Sequence, residues 1–351
     1  MSLGPYMVDV DGYSLTAEDR EILRHPAVGG IILFSRNFES IEQVTSLVND
    51  IHGLREPRLL IAVDHEGGRI QRFREGFSRL PACELLGQAY DKDPENGLHV
   101  SEHAGWLMAI ELLACGIDFS FAPVLDINKG ISSVIGDRSF HRNPDTVAVL
   151  ASAYMRGMKR AGMSAVGKHF PGHGSVAEDS HLAIPVDRRR FEDIQMDDMI
   201  AFERLIHAGL AGVMPAHVIY PAVDSLPAGF SSKWLKDILR GQLGFQGTVF
   251  SDDISMAGAE VIGDYPARAH SALNAGCDMV LICNNRPAVS EILEKCEYSP
   301  NPLSQVRLIR MHGKPSTTNA ELKNNNEWKK ISAAINALTI TPELDLRDDS
   351  V

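Results

Sequence analysis

Eight short apolar runs, each followed by a loop and most by an amphipathic segment, recur along this chain as far as Ile282. Most of the runs are continuously apolar rather than alternating, which is typical of parallel strands buried on both faces. The predicted strands are Pro5–Val10, Gly30–Phe34, Leu59–Val63, Asp118–Val124, Ser164–Lys168, Gly212–Pro215, Gly247–Ser251 and Asp278–Ile282. Eight such units in succession predict an α/β fold, a single TIM-type (β/α)8 barrel.

The segments between these runs have the spacing of amphipathic helices, and several end in glycine, the usual residue at a left-handed C-cap. We expect helices over Glu18–Arg24, Ile41–Leu54, Val100–Cys115, Thr146–Ala161, Asp193–Ala208, Ser232–Leu243 and Pro266–Ala275, and C-caps at Gly116, Gly162, Gly209, Gly244 and Gly276. An open doubly wound sheet is the rival fold, but no GxGxxG motif follows the first run. Helices from about residue 300 should pack on the barrel, so that 1–351 forms one domain.

Net charge and composition count against a nucleic-acid-binding, membrane-spanning or disulfide-rich secreted protein. The net charge of −12 counts against nucleic acid or an anionic membrane as the main partner. No apolar run approaches the ~18 residues that a membrane span requires. Asp9 and Asp11 stand where a signal peptide would need an apolar core, so we expect a cytoplasmic protein. The five cysteines are scattered without a CxxC pair, and we expect buried free thiols rather than disulfides or a structural zinc site.

Charged side chains follow five consecutive predicted strands. In a (β/α)8 barrel the C-terminal ends of the strands form the active site, so these side chains should meet at one mouth. The segments are Asp64–Arg72, Gly136–Phe140, Lys168–His169 with Asp179–His181, Met214–His217 and Ser251–Asp253. Carboxylate and guanidinium groups commonly hold the hydroxyls, amides or anionic groups of a polar ligand. Four residues fit this use: Asp64, Arg72, Arg138 and Lys168.

Two pairs of residues that are adjacent or nearly adjacent in the sequence could supply catalytic side chains. Pleating directs only one of Asp252 and Asp253 to the barrel axis, and the other is expected to cap the following helix. The inward carboxylate could serve as a nucleophile, a metal ligand or a substrate anchor. Asp179 and His181 are two positions apart, so in an extended loop the carboxylate can contact the imidazole and make it a usable acid and base. A surface ion pair without a catalytic role is the alternative.

A zinc cluster is a further alternative for this mouth. It would draw on His169, His173, His181, His217 and Asp252. Barrel metallohydrolases usually have an HxH pair after the first strand, whereas this strand leads into Asp9-Val10-Asp11. We therefore expect no metal, and nothing in the sequence indicates a cofactor.

Several segments resemble those of glycoside hydrolase family 3, in particular its bacterial single-domain β-N-acetylhexosaminidases of cell-wall recycling. The matching segments are GPYMVDVDGY with GGIILFSRNF, VDHEGGRIQRFREGF, IGDRSF, KHFPGHGSVAEDSH and FSDDISMAGA, in family order from about Gly4 to Met279. KHFPGH with the downstream DSH is highly specific, and the other segments are weaker alone. The family commonly has VDQEGG where this chain has VDHEGG, so His65 could alter hydrogen bonding beside Asp64.

The resemblance implies a single catalytic domain that removes terminal β-linked N-acetylglucosamine from 1,6-anhydro-muramyl peptidoglycan fragments, with or without peptide. Asp252 would be the nucleophile of a retaining reaction, and His181, partnered by Asp179, its acid/base. His173 would shape the Pro-Gly loop, and the sugar would be held by Asp64, Arg72, Arg138, Lys168 and His169. The partner would be a small-molecule sugar, and we expect a monomer. Phosphorolysis and a non-catalytic sugar-binding barrel remain alternatives.

Overall fold

The computed structural model describes residues 2–177 and 184–339, and these contain ten strands. Eight of the strands are parallel, and each overlaps one of the predicted runs. The strands are β1 (Tyr6–Val8), β2 (Val28–Leu33), β3 (Leu60–Val63), β4 (His65–Gly67), β5 (Ile70–Gln71), β6 (Phe119–Ser120), β7 (Val166–Phe170), β8 (Gly212–Pro215), β9 (Thr248–Val249) and β10 (Val280–Leu281).

The eight parallel strands form a closed ring. Hydrogen bonding gives one sheet of order β10-β1-β2-β3-β6 and a second of order β7-β8-β9. Two isolated parallel bridges join these sheets, Val124 with Lys168 on one side and Phe250 with Met279 on the other. The rings of Phe119, Phe121 and Phe250 pack against one another with centroids 5.3–5.4 Å apart. The predicted α/β barrel is thereby confirmed.

Helices follow the strands much as the periodicity predicts. The α-helices are α1 (Ala17–Arg24), α2 (Ile41–His52), α3 (Cys83–Lys92), α4 (Pro94–Ala114), α5 (Pro144–Ala161), α6 (Phe191–Gln195), α7 (Met199–His207), α8 (Tyr265–Ala275), α9 (Arg286–Lys295), α10 (Pro302–Ile309), α11 (Asn319–Leu322) and α12 (Asn326–Thr339). A π-helix covers Lys233–Gln242. All five predicted C-cap glycines have φ between +68° and +126°. No helix in the described part of the chain is both long and apolar enough to cross a membrane.

Three local features differ from the sequence-based expectation. The single helix expected over Asp193–Ala208 is divided into α6 and α7, and the buried carboxylate of Asp198, which pairs with Arg189 at 2.6 Å, lies at the break. Helix α3 was not expected. Neither was the antiparallel hairpin of β4 and β5, which directly follows β3.

Helices α11 and α12 pack on α4. The indole Nε1 of Trp328 donates to Glu111 Oε1 at 2.8 Å, and Asn319 Nδ2 donates to the carbonyl of Ala114 at 3.0 Å. Glu111 also accepts from the backbone N–H and the hydroxyl of Ser78, and Ser78 lies in the segment that leaves the hairpin. The C-terminal helices are thus connected to the chain around the barrel mouth.

Candidate active site

A cavity of about 690 Å³ opens at the C-terminal ends of the barrel strands. Six of the predicted site residues border it: Asp64, Arg72, Arg138, Lys168, His169 and Asp252. They come from four separate parts of the chain, which the barrel brings to one mouth as the strand-end argument predicts. Asp179 and His181 lie outside the described residues.

A buried network of four charges forms one wall of the cavity. Lys168 Nζ lies 2.8 Å from Asp64 Oδ1 and 2.7 Å from Glu66 Oε1. Arg138 grips both oxygens of Glu66, with Nε to Oε2 and Nη2 to Oε1 each at 2.8 Å. The side chains of Lys168 and Glu66 are each only 3% exposed. The loss of hydration of each charge is therefore offset by its pairing with the opposite charges beside it.

This network keeps its members ionised. Burial alone would raise the pKa of Glu66, but Arg138 and Lys168 outweigh it and hold that pKa well below its usual range. Burial would also lower the pKa of Lys168, but Asp64 and Glu66 raise it overall. A fixed cation and fixed carboxylates in a site shielded from water interact strongly with polar groups of a ligand.

Arg72 lies beside this wall, and its side chain and that of Asp64 are more exposed than the Glu66 side chain. Their closest atoms, Arg72 Nη2 and Asp64 Oδ2, are 3.7 Å apart, and their side chains are 30% and 20% exposed. Glu66, in contrast, uses both of its oxygens on Lys168 and Arg138. We therefore expect Asp64 and Arg72 to contact a bound ligand and Glu66 to orient the cations beside them.

His169 is oriented by a buried carboxylate that the sequence analysis did not select. Asp126 Oδ2 lies 2.7 Å from His169 Nδ1, and Asp126 also accepts from the backbone N–H groups of His169 and His173. Burial would raise the pKa of Asp126, but its interactions with His169 and then His173 lower it. Because Nδ1 faces the carboxylate, Nε2 is the ring nitrogen of His169 that a cavity ligand can meet.

Asp252 and Asp253 have different surroundings, although both border the cavity. The carboxylate of Asp253 accepts from Ser255 N at 2.9 Å, Ser255 Oγ at 2.6 Å and Cys283 N at 3.1 Å. Burial raises the pKa of Asp253 to about 6, with these hydrogen bonds opposing the shift. Asp253 therefore caps a turn, rather than the helix expected from the sequence. Asp252 Oδ1 accepts from Asp253 N at 2.8 Å.

Asn284, three residues after the end of β10, is a further cavity residue that is not among the predicted site residues. It has φ of +56°, and its backbone N–H donates to Asp9 Oδ2 at 2.6 Å. Arg36 bonds both Asp9 Oδ2 and Asn284 Oδ1, each at 2.6 Å. In the sequence, Asn284 is marked as a candidate by the polar residues that follow the eighth predicted strand. Asp126 is marked in the same way, as a carboxylate two residues after the fourth predicted strand ends at Val124.

Two of the candidate zinc ligands, His217 and His173, make contacts within the fold. His217 stacks on Phe230 with centroids 5.2 Å apart, and its Nε2 donates to the carbonyl of Asp253 at 3.0 Å. The backbone N–H of His173 donates to Asp126 at 2.6 Å. Within residues 2–177 and 184–339, no three His, Cys, Asp or Glu side chains are arranged to hold a metal ion.

His65 lies behind the wall rather than in the cavity. Its ring is buried against Phe73 and Phe77, at centroid distances of 5.9 and 5.6 Å. Burial lowers the pKa of His65 to about 3, and Arg72 and Arg74 add to the effect. Neither ring nitrogen has a hydrogen-bond partner in the described parts of the chain. The ring therefore makes no hydrogen bond to Asp64, whose carboxylate pairs with Lys168 instead.

Comparison with known proteins places this site in context. Residues 6–309 match the glycosyl hydrolase family 3 N terminal domain. A beta-hexosaminidase of Thioalkalivibrio sulfidiphilus is 59% identical over 346 residues, which is 99% of each chain. One of Nitrosospira multiformis is 55% identical over 90% of each chain. NagZ from Neisseria gonorrhoeae, solved in complex with N-trifluoroacetyl-D-glucosamine, superposes with a TM-score of 0.93 and 45% identity over 97% of this chain and 99% of its own.

Proposed function

The chain belongs to glycosyl hydrolase family 3 as a β-hexosaminidase, and on this premise we propose that it is a retaining exo-β-N-acetylglucosaminidase. The proposed substrates are peptidoglycan fragments in which terminal β-linked N-acetylglucosamine is joined to 1,6-anhydro-N-acetylmuramic acid, with or without peptide. The observation that carries the proposal is the barrel-mouth cavity, where Asp64, Arg72 and Lys168 border the same space as Asp252. The N-trifluoroacetyl-D-glucosamine bound to the gonococcal relative supports an N-acylated sugar as ligand.

The proposed reaction has two displacement steps. In the first, a carboxylate oxygen of Asp252 bonds to the anomeric carbon while the glycosidic C–O bond breaks, and His181 gives its proton to the leaving oxygen. In the second, His181 removes a proton from water, which attacks the anomeric carbon and releases Asp252. Two displacements retain the β configuration. Asp179 is the proposed partner that holds the imidazole of His181. The roles of Asp179 and His181 rest on the DSH motif.

The proposed sugar contacts follow from the wall described above. The Asp64 carboxylate would accept from sugar hydroxyls, while Arg72, Arg138 and Lys168 would donate to sugar oxygens. His169 would present Nε2 because Asp126 faces its Nδ1. With the sugar held by these groups, the anomeric carbon would lie near Asp252, and a fixed near-attack geometry would lower the barrier of the first step.

The proposed setting is the cytoplasm, in peptidoglycan recycling and hence in cell-wall biogenesis and cell division. All five cysteines are free, which suits a reducing compartment. The net charge of −12 suits a small sugar ligand rather than a nucleic acid or membrane as partner. We further propose that 1–351 is one catalytic domain that acts as a monomer.

Hydrolysis of a chromogenic β-N-acetylglucosaminide tests the mechanism. Asp252→Asn should lose at least about 10³-fold in kcat, because no covalent intermediate can form. Asp253→Asn is the matched control, since the neighbouring carboxylate caps a turn. His181→Ala should be slow on poor leaving groups, less affected on activated ones and partly rescued by azide.

Two results would contradict the proposal. Normal turnover by Asp252→Asn would remove the nucleophile assignment. Release of sugar 1-phosphate in phosphate buffer, with no turnover in its absence, would show a phosphorylase instead. Muropeptide fragments assayed beside the chromogenic substrate then test the natural substrate class.

A further inference from the structure

A second cavity, of about 440 Å³, lies at the opposite end of the barrel from the site described above. Met163, Ser164 and Ala165, which precede β7, form one side of it, and Ala208 and Gly209, which follow α7, form another. The remaining walls are the end of α5 and the segment Arg310–Lys314 after α10. We call this space the lower cavity. Its volume is in the usual range for small-molecule sites, roughly 300–1,000 Å³.

The lining of the lower cavity is basic. Five cationic or titratable bases border it, and none of its lining residues is an aspartate or glutamate; the bases are Arg156, Lys159, Arg310, His312 and Lys314. This composition is the reverse of the whole chain, in which 46 acidic residues exceed 34 lysines and arginines. Clustered charge of one sign attracts ligands of the opposite sign into a cleft.

Three of these cations are available to a ligand. Lys159, Arg310 and Lys314 have no carboxylate partner among the residues that the structure describes, and all three are exposed at the rim. Arg156 contacts Glu102 at 3.3 Å, and His312 Nδ1 lies 3.5 Å from Asp118 Oδ1. The ligand-facing charge of the cavity is therefore strongly positive.

Beneath this basic rim the floor is apolar and held in place. Met155, Met163 and Ala165 are buried there. The backbone N–H of Lys314 donates to the carbonyl of Gly162 at 3.0 Å, and an added Cβ at Gly162 would lie 2.3 Å from the carbonyl oxygen of Lys314. This close backbone packing fixes the Arg310–Lys314 segment against the end of α5. The cavity is therefore largely formed before any ligand enters it.

We propose that the lower cavity binds a small organic phosphate, with the phosphate groups on Lys159, Arg310 and Lys314 and the organic part on the methionine floor. Cations near helix C-termini also stabilise the helix dipole, which explains Lys159 in the last turn of α5. That effect does not account for Lys314, which lies beyond the end of α10. Convergence of cations from two separate segments on one cavity favours a ligand site.

Isothermal titration calorimetry with three probes tests the proposal: ADP, inorganic pyrophosphate and adenosine. We expect ADP to bind one per chain, pyrophosphate more weakly and adenosine not measurably. The double substitution Lys159→Met and Lys314→Met keeps the aliphatic stems but removes two cations, and should weaken ADP binding at least about tenfold. Lys92→Met is the matched control, because Lys92 also lies in the last turn of a helix, α3.

Each possible result decides the question. Absence of ADP binding at millimolar concentration, or equal binding by wild type and the double variant, would overturn the proposal. So would adenosine binding as tightly as ADP. Thermal unfolding and hydrolase activity of the double variant show that its fold is retained, since both lysines are remote from the barrel mouth. Should the double variant fail to fold, Lys314→Met alone provides the same comparison.

Discussion

At the scale of single residues, Glu66 shows how one side chain keeps two buried cations in the site. It is the carboxylate partner of Arg138 and shares Lys168 with Asp64. Glu66→Gln should lower the free energy of unfolding by about 3–5 kcal/mol, because it leaves a buried guanidinium without a carboxylate. Urea denaturation measures this loss. Glu102→Gln, which breaks the exposed pair with Arg156, should cost less than about 1 kcal/mol. Equal losses would contradict the role given to Glu66.

His65 leads to a prediction about pH. Its pKa is about 3 in the folded protein and has an ordinary value of 6.5, so the unfolded chain takes up the proton first as pH falls. Stability from His65 is therefore complete above about pH 6.5 and is lost towards pH 3. Between pH 6.5 and pH 5 the protonation of His65 in the unfolded chain should lower the free energy of unfolding by about 2 kcal/mol. His65→Gln, which replaces the titratable ring with a neutral amide, should remove this part of the pH dependence. Parallel stability curves for the two proteins would refute the assignment.

At the scale of elements, the β4–β5 hairpin places Glu66 and depends on Gly67. Gly67 has φ of +108°, and an added Cβ would lie 2.3 Å from the carbonyl oxygen of Pro81. Gly67→Ala should therefore lower both thermal stability and hydrolase activity, by more than ~1 kcal/mol in unfolding free energy. Gly130→Ala is the control, since Gly130 also has positive φ but open space around it. If the two variants lose equal stability, backbone strain rather than the clash with Pro81 is the cause.

The elements that the sequence predicts are those with strong periodicity. Eight apolar runs predict the barrel, because strands buried on both faces require continuous apolar sequence. Strands β4 and β5 span three and two residues and contain His65, Glu66 and Gln71, so no hydrophobic pattern marks them. The positions of Asp64, Lys168 and Asp252 follow from the rule that strand ends meet at one mouth. The pairing of Glu66 with Arg138, and of Asp126 with His169, depends on distances between segments that are far apart in the chain, and hydrophobic periodicity contains no such distances.

At the scale of the whole molecule, a chain of hydrogen bonds connects the C-terminal helix with the barrel mouth. Trp328 donates to Glu111, Glu111 accepts from Ser78, and the carbonyl of Ser78 accepts from Gln71 of β5. Trp328→Phe removes one donor from a carboxylate whose pKa burial already raises, and should cost about 1–3 kcal/mol. If the helix and barrel unfold as one unit, Tm from circular dichroism and from loss of activity should fall together.

The control for Trp328 is Glu327→Gln on the same helix, which breaks an exposed pair with Arg160 at 3.1 Å. It should leave Tm almost unchanged. A partial loss of helical circular dichroism at a temperature where hydrolase activity persists would show instead that α12 unfolds separately.

The pairing of β1 with β10 also bears on how the protein is made. Tyr6 pairs with Val280 and Met7 with Leu281. The hydrogen bonds between β1 and β10 can therefore form only after β10 has left the ribosome. Until then the nascent barrel has two unpaired edges, where strands of other nascent chains can add. Closure over such a long sequence separation is intrinsically slow, and partly made chains are prone to self-association. The yield of protein from a cell should therefore depend on translation rate and chaperone supply as well as on the stability of the finished ring.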